Sequence, residues 1–281
     1  MELGRYGLWV GRALEPRDYG QAAALAEELG FGTLWLGSSP RLESLRPMLE
    51  ASRAIVIATG IVNVWQYEPD VLAREFAELE EAHPGRLLVG IGIGHREATQ
   101  EYQQPLAKMR AFLDGIASAS TPIPPERMVL AALGPRMLEL SAQRTLGTHP
   151  YFTPPAHTRM ARELLGHQAL IAPEQAVVLD DGDHQAALAS AREYAAFYLR
   201  LSNYANNLRR LGYTDQDLAD GGSPRLVGEL VPQGPPTVLA AAATAHLDSG
   251  ADHVCVQVVG AAGVPELAWR ALAAELLVPG A

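Results

Sequence analysis

PDVLAREFAELEEAHPGRLLVGIGIGH, residues 69–95, passes from one backbone period to another. Its first part, begun by Pro69 and Asp70, has helical periodicity, and its second, Arg86 to Ile93, is an apolar run of strand length. The same alternation continues in both directions. Strand candidates are Arg5 to Val10, Thr33 to Gly37, Ala54 to Val64, Arg86 to Ile93, Met128 to Leu133, Thr148 to Phe152, Gln175 to Leu179 and His253 to Val259. Between them lie helical segments such as PRDYGQAAALAEELGF (16–31), opened by Pro16 and closed by Gly30. VLAALG (129–134) and HVCVQVVG (253–260) show no polar alternation, which suits strands buried on both faces in a parallel wall covered by helices. The chain has 281 residues, against the roughly 250 that an eight-fold barrel needs. The expected class is therefore α/β, a (β/α)8 TIM barrel, with residues 1–281 forming a single domain. Asp183 to Asp220 and the Gly- and Pro-rich GGSPRLVGELVPQGPP (221–236) exceed an ordinary crossover and read as an insertion after strand seven, beside the barrel mouth. A doubly wound open sheet is the alternative, because strand number does not establish closure.

Composition narrows the functional classes. The sequence is 48% hydrophobic and 19% charged, enough to bury a large core, and its net charge of -10 comes without a run of Lys and Arg interleaved with aromatics. Nucleic acid is not an expected partner. Cys255 is the single cysteine, so an internal disulfide and CxxC chemistry are excluded and a reducing cytoplasm is expected. The stretch from Met1 to Gly11 runs directly into a strand without the features of a leader, and no run approaches a membrane span.

Four strand ends are unusual. ATGIVNVWQYEP (58–69) puts Gly60 inside a strand, where glycine weakens a sheet unless a bend or close approach requires it. GIGIGH places Gly90, Gly92 and Gly94 on one face and ends at His95, so that a face without side chains leaves room for something flat. ALGPR ends strand five with Gly134 and Pro135, and GTHPYFTPPAHT ends strand six with His149, Pro150 and Tyr151. Barrel enzymes place their sites at such ends. Each feature has a plainer reading: the glycines relieve packing inside the barrel, and either histidine is a satisfied core or surface residue. The glycine spacing fails as a Rossmann fingerprint, and zinc spacings, GxSxG, HExxH and paired acids are absent, so no metal site is expected.

Taken in order, ATGIVNVW with its Pro-headed helix, PGRLLVGIGIGH, ALGPRMLELSA and GTHPYFTPPAHT resemble the luciferase-like monooxygenase superfamily, and within it the actinobacterial branch of oxidoreductases that use the deazaflavin coenzyme F420. The resemblance covers nearly the whole chain. It implies a bulge on strand three with a cis Gly60–Ile61 peptide behind the tricyclic ring, Asn63 at the ring edge, Gly92, Gly94 and His95 beyond strand four, and Gly134, Pro135, His149, Pro150 and Tyr151 completing the cradle. The implied reaction is hydride transfer between F420 and a small organic substrate, with His95 as the catalytic hydrogen-bonding or proton-transfer residue. The rivals are an FMN-dependent monooxygenase and a cofactor-free binding homologue. Phosphate donors are sought among helix N-termini and Arg41, Arg96 or Arg136. LWLGSSPRLES (34–44) departs from the family, with Ser38 and Ser39 where relatives tend to carry an acid or histidine; this speaks against a glucose-6-phosphate dehydrogenase-like mechanism. YLRLSNYANNLRRLGY (198–213) reads first as helix packing and second as a pocket wall, and AWRALAAELL (268–277) offers a face for a homodimer.

Overall fold

A computed structural model describes residues 1–11, 13–100 and 102–277. Its elements are β1 (Tyr6–Val10), α1 (Tyr19–Glu28), β2 (Thr33–Gly37), α2 (Arg46–Ala51), β3 (Val56–Gly60), β4 (Val62–Asn63), α3 (Pro69–Ala82), β5 (Leu87–Gly92), α4 (Pro105–Ala117), β6 (Met128–Leu130), α5 (Pro135–Arg144), β7 (Gly147–Thr148), α6 (Pro155–Leu165), β8 (Leu170–Ile171), β9 (Glu174–Leu179), α7 (His184–Leu199), α8 (Ser202–Arg210), α9 (Asp215–Leu218), α10 (Pro224–Leu230), β10 (Gln233–Gly234), α11 (Pro236–Asp248), β11 (Val254–Val258) and α12 (Glu266–Leu276). All pairings are parallel, and the sheet runs β10-β9-β11-β1-β2-β3-β5-β6-β7-β8, with β4 beside β5. Its two ends belong to one stave, because β8 and β9 are joined through Ala172 and Pro173. The result is a closed barrel of eight staves, and the open-sheet alternative is discarded.

Alternate residues of each stave face opposite sides. Trp9, Trp35, Ala58, Leu88, Val129, Ala172 and Cys255 pack together inside the barrel, while Leu8, Leu34, Ile57, Val89, Leu130 and Val256 join the larger core beneath the helices. The interior is crowded enough to need glycine: a Cβ would stand 2.1 Å from the Trp9 indole at Gly37 and 2.3 Å at Gly60. α3 shows why the helices form, since Pro69 opens it and Leu72, Ala73, Phe76 and Leu79 supply one buried face at helical spacing.

The register corrects three strand predictions. Ala54 to Val64 is two strands, because Ile57 pairs with Leu87 whereas Val62 pairs with Ile91, leaving one extra residue on the third stave; this is a bulge, and the Gly60–Ile61 peptide within it is cis. The sixth strand begins at Gly147 and regular pairing ends at Thr148, although its ladder continues through His149 N–H to Leu130 O (2.8 Å) and Glu174 N–H to Pro150 O (2.9 Å). Pro150 has no N–H to extend it, and Phe152 turns away with φ +54°. The seventh stave begins at Leu170, earlier than expected; Pro173 interrupts its pattern, and its first half pairs with β7 while its second pairs with β11. β10, lodged in the loop-like PQGPP, is a further short strand paired to β9. Between β9 and α11 the chain carries α7 to α10, of which α7, α8 and α10 pack over Phe152, Ala176 and Val178. No helix of the described residues is long and apolar enough to cross a membrane.

Candidate active site

A cavity of about 600 Å³ opens at the carboxyl ends of the staves, and its lining includes Gly60, Ile61, Asn63, Gly92, Gly94, His95, His149 and Tyr151. Eight of the eleven expected site residues thus share one space. Gly134, Pro135 and Pro150 are not part of its wall: Ala131, Ala132 and Leu133 line it at the end of the fifth stave, and the Pro150 carbonyl is used in the barrel ladder.

The third and fourth staves build one side. The face of GIGIGH is not left open as expected. Ile61, displaced by the bulge, lies over Gly92, where a Cβ would come 2.5 Å from its Cδ1, and Asn63 lies over Gly94, whose φ is +63°. Asn63 Oδ1 accepts the Trp65 N–H (3.0 Å), and Trp65 Nε1 donates to Ile93 O (2.8 Å), which ties the two strand ends together. His95 Nδ1 stands 3.1 Å from Asn203 Oδ1 and its ring 5.3 Å from that of Tyr204. With the carbonyl oxygen accepting, Nδ1 carries the hydrogen and Nε2 is left for other partners. Glu97 Oε1 accepts the Ser202 N–H (2.9 Å) at the start of α8, and this bond holds its carboxyl below the usual range.

The floor is Trp9 and His149. His149 Nδ1 donates to Ala172 O (2.7 Å) and its ring stacks on Trp35 at 4.1 Å. Burial lowers its pKa to about 4, so the ring is neutral and Nε2 is an acceptor. That Nε2 and the Trp9 Nε1–H are buried without a hydrogen-bond partner among the described residues, and they flank Gly60, 3.3 and 2.3 Å from where its Cβ would be.

Opposite the bulge, the wall comes from β11, α7 and the end of the sixth stave. The Tyr151 and Tyr194 hydroxyls stand 2.8 and 2.9 Å from Gln257 Oε1 and 2.5 Å from each other, so that two hydrogens are shared among three oxygens, and Tyr198 reaches the Tyr151 hydroxyl at 3.1 Å. Burial raises the Tyr151 and Tyr194 phenols above their ordinary range, so both stay protonated. Beneath them Glu174, 1% exposed, accepts the Phe152 N–H (3.2 Å) through Oε2, while Oε1 has no partner among the described residues. Burial pushes its pKa up to about 8.

Trp9, Tyr194 and Gln257 were missed because nothing local in a β-strand or a helix marks which residue faces a mouth assembled from eight segments. Tyr198, Asn203 and Tyr204 had been read first as packing, and they line the cavity. Of the phosphate-donor candidates, Arg41 is engaged over Tyr67 and with Glu75, Arg96 lies over Tyr102, and neither they nor Arg136 line the cavity. A different arginine is placed at a helix N-terminus. Arg210 lies 3.7 to 3.9 Å from the Cβ position of Gly134, the N-cap of α5, which has no side-chain cap, and its Nη1 donates to Asn207 Oδ1 (3.0 Å). Ser38 and Ser39 line the mouth in the left-handed region, with φ +69° and +55°, a conformation that costs non-glycine residues about 1 kcal/mol each. Among the described residues no group of three or more His, Cys, Asp or Glu is placed to hold a metal ion.

Comparison with known proteins agrees with this geometry. An F420-dependent glucose-6-phosphate dehydrogenase of Microbacterium testaceum is 29% identical over 110 residues, 34% of this chain and 33% of that protein. The chain spans about a third of the length of the curated relatives it matches. Among solved structures, an F420-dependent secondary alcohol dehydrogenase in complex with an F420-acetone adduct has a TM-score of 0.74 at 14% identity, covering 99% of each chain. A coenzyme F420-dependent tetrahydromethanopterin reductase from Methanopyrus kandleri has the same TM-score and identity, covering 97% of this chain and 98% of its own. These likenesses establish the barrel. The luciferase-like monooxygenase family model matches residues 3–225, most of the sequence, and the chain belongs to that family.

Proposed function

We propose that the protein is an oxidoreductase that transfers hydride between coenzyme F420 and a small organic substrate. The observation that carries the proposal is the gathering of Gly60, Ile61, Asn63, Gly92, Gly94, His95, His149 and Tyr151 around one cavity in a chain of this family. The names of its relatives and of its structural neighbours support the choice of coenzyme.

The residues present fit a deazaflavin. The cavity volume falls within the range of small-molecule and cofactor sites. Its floor presents an unpartnered donor, Trp9 Nε1, and an unpartnered acceptor, His149 Nε2, which a polar ring edge satisfies. Just outside the lining, the uncapped N-terminus of α5 and the Arg210 guanidinium are two positive ends facing one another, an arrangement that an anionic group relieves. Ile61 and Asn63 would back the ring, and Gly134, Pro135 and Arg210 would hold its phosphate. When bound, the coenzyme supplies hydride chemistry at its C5. His95 would hold or move a proton at Nε2, since Asn203 fixes Nδ1. Residues 1–281 act in this reading as one cytoplasmic domain, and the exposed Leu267 beside AWRALAAELL supports self-association.

The test is a titration of the purified protein with oxidised F420, with FMN run in parallel. Micromolar F420 binding with much weaker FMN binding is the expected result. Preference for FMN would turn the assignment to oxygen chemistry, and binding of neither would leave a barrel without a coenzyme.

A further inference from the structure

The wall opposite the bulge has a chemistry of its own. Tyr151, Tyr194, Tyr198 and Tyr204 face the cavity together with Phe197, and the rings of Tyr151, Tyr198 and Tyr204 lie 5.3 to 6.4 Å apart. Such a wall suits the face or edge of another ring. Among the described residues no Lys, Arg, Asp or Glu lines the cavity. On this wall the polar partners are the phenolic hydroxyls and the Gln257 amide, which offer an anion hydrogen bonds but no countercharge to replace its hydration.

Gln257 stands at the centre of this wall. Its Oε1 lies 2.8 and 2.9 Å from the Tyr151 and Tyr194 hydroxyls, which are 2.5 Å from each other and share their two hydrogens among the three oxygens; this fixes the amide plane and leaves both Nε2 hydrogens without an acceptor among the described residues. The Nε2 lies 3.9 Å from where a Cβ of Gly11 would be, and because Gly11 has no side chain the amide stays open to the cavity. A donor whose amide oxygen is held by a buried phenol pair, beside an aromatic wall, is the arrangement that orients one oxygen acceptor.

We propose that this side of the cavity binds an uncharged, ring-bearing alcohol or ketone, whose oxygen accepts from Gln257 Nε2, and that it excludes phosphorylated sugars. The assignment rests on the hydride-transfer reading for the reaction that follows binding, but binding itself does not require the coenzyme. It also separates this chain from the activity named for its sugar-phosphate-oxidising relatives.

The experiment is a ligand-observed NMR titration of the coenzyme-free protein with benzyl alcohol, toluene, benzyl phosphate and glucose 6-phosphate. Benzyl alcohol is expected to bind at least 30-fold more tightly than either phosphate binds in competition with it. Gln257→Leu should weaken benzyl alcohol at least 10-fold while leaving toluene, which has no oxygen, within 2-fold. Gln257→Glu keeps an acceptor for the two tyrosines and removes the donors, and it should repeat the loss for benzyl alcohol alone. Equal or tighter binding of a phosphate that benzyl alcohol displaces would overturn the proposal, as would no binding by any ring compound, or an equal loss of toluene and benzyl alcohol in both variants. F420 affinity is read separately by absorbance: its absence would remove the proposed reaction and leave the ligand class standing.

Discussion

Replacing Glu174 by glutamine removes a charge for which the barrel provides one N–H and no cation. The carboxyl is buried at 1% exposure, accepts from Phe152 N–H through Oε2, and has its pKa pushed up by burial from 4.5 to about 8. The folded state therefore holds its proton more tightly than the unfolded chain does. Stability from this group is fully present below the unfolded value and is lost as pH rises through about 8. At about 1.4 kcal/mol per unit of difference, the 3.5 units between 4.5 and 8 set an upper bound of about 5 kcal/mol. The glutamine side chain would keep an acceptor for Phe152 and carry no charge. Urea unfolding of both proteins at pH steps from 5 to 9 gives the difference in stability, in which groups that do not sense Glu174 cancel. It should rise in favour of Glu174→Gln by up to about 1.4 kcal/mol per pH unit and level off above pH 8. A difference that does not change with pH would refute the reasoning.

Acid should unfold the protein steeply, because burial lowers His149, His157 and His253 to about 4 and His246 to about 3, and the stability these neutral rings give is present above 6.5 and lost as pH falls through those values; circular dichroism that stays native at pH 3.5 would contradict this. Gly60→Ala should lower stability by roughly 1–3 kcal/mol through overpacking against the Trp9 indole, read as a drop in Tm, and an unchanged Tm would mean that the indole yields freely. His95→Gln should reduce kcat by roughly 100-fold or more if His95 moves a proton, with F420 affinity little changed; equal loss of both would assign it to binding instead.

The barrel was legible wherever a strand is long and uninterrupted. β1, β2, β5 and β11 carry apolar runs with no competing signal, and their positions hold to within a residue or two. The failures have a common origin in proline and in pairing that the sequence does not display. Pro173 breaks a stave that hydrogen bonds to β7 and β11 keep intact, Pro150 shortens the regular part of another, and β10 is specified by its partner β9 more than by its own PQGPP. The bulge belongs to the same class, since one extra residue shows only when Ile57 and Val62 are registered against β5. At the site, glycines and histidines at strand ends stood out because they are poor strand or core residues. Gln257 and Trp9 did not, because a glutamine or tryptophan in a strand announces neither the direction it faces nor the residues it meets from far along the chain.

The two sides of the cavity come from different stretches of chain. The bulge lies within the first hundred residues, whereas Tyr194 to Tyr204 and Gln257 to Pro265 close the other side, where Asn203 and Tyr204 meet His95. The family model ends at residue 225, so the last part of that wall lies beyond the stretch by which membership is recognised. The mouth is in effect a fixed jaw and an exchangeable one. Grafting residues 254–265 from one barrel of this kind onto another is a route to transplanting substrate preference while the bulge side is left as it stands.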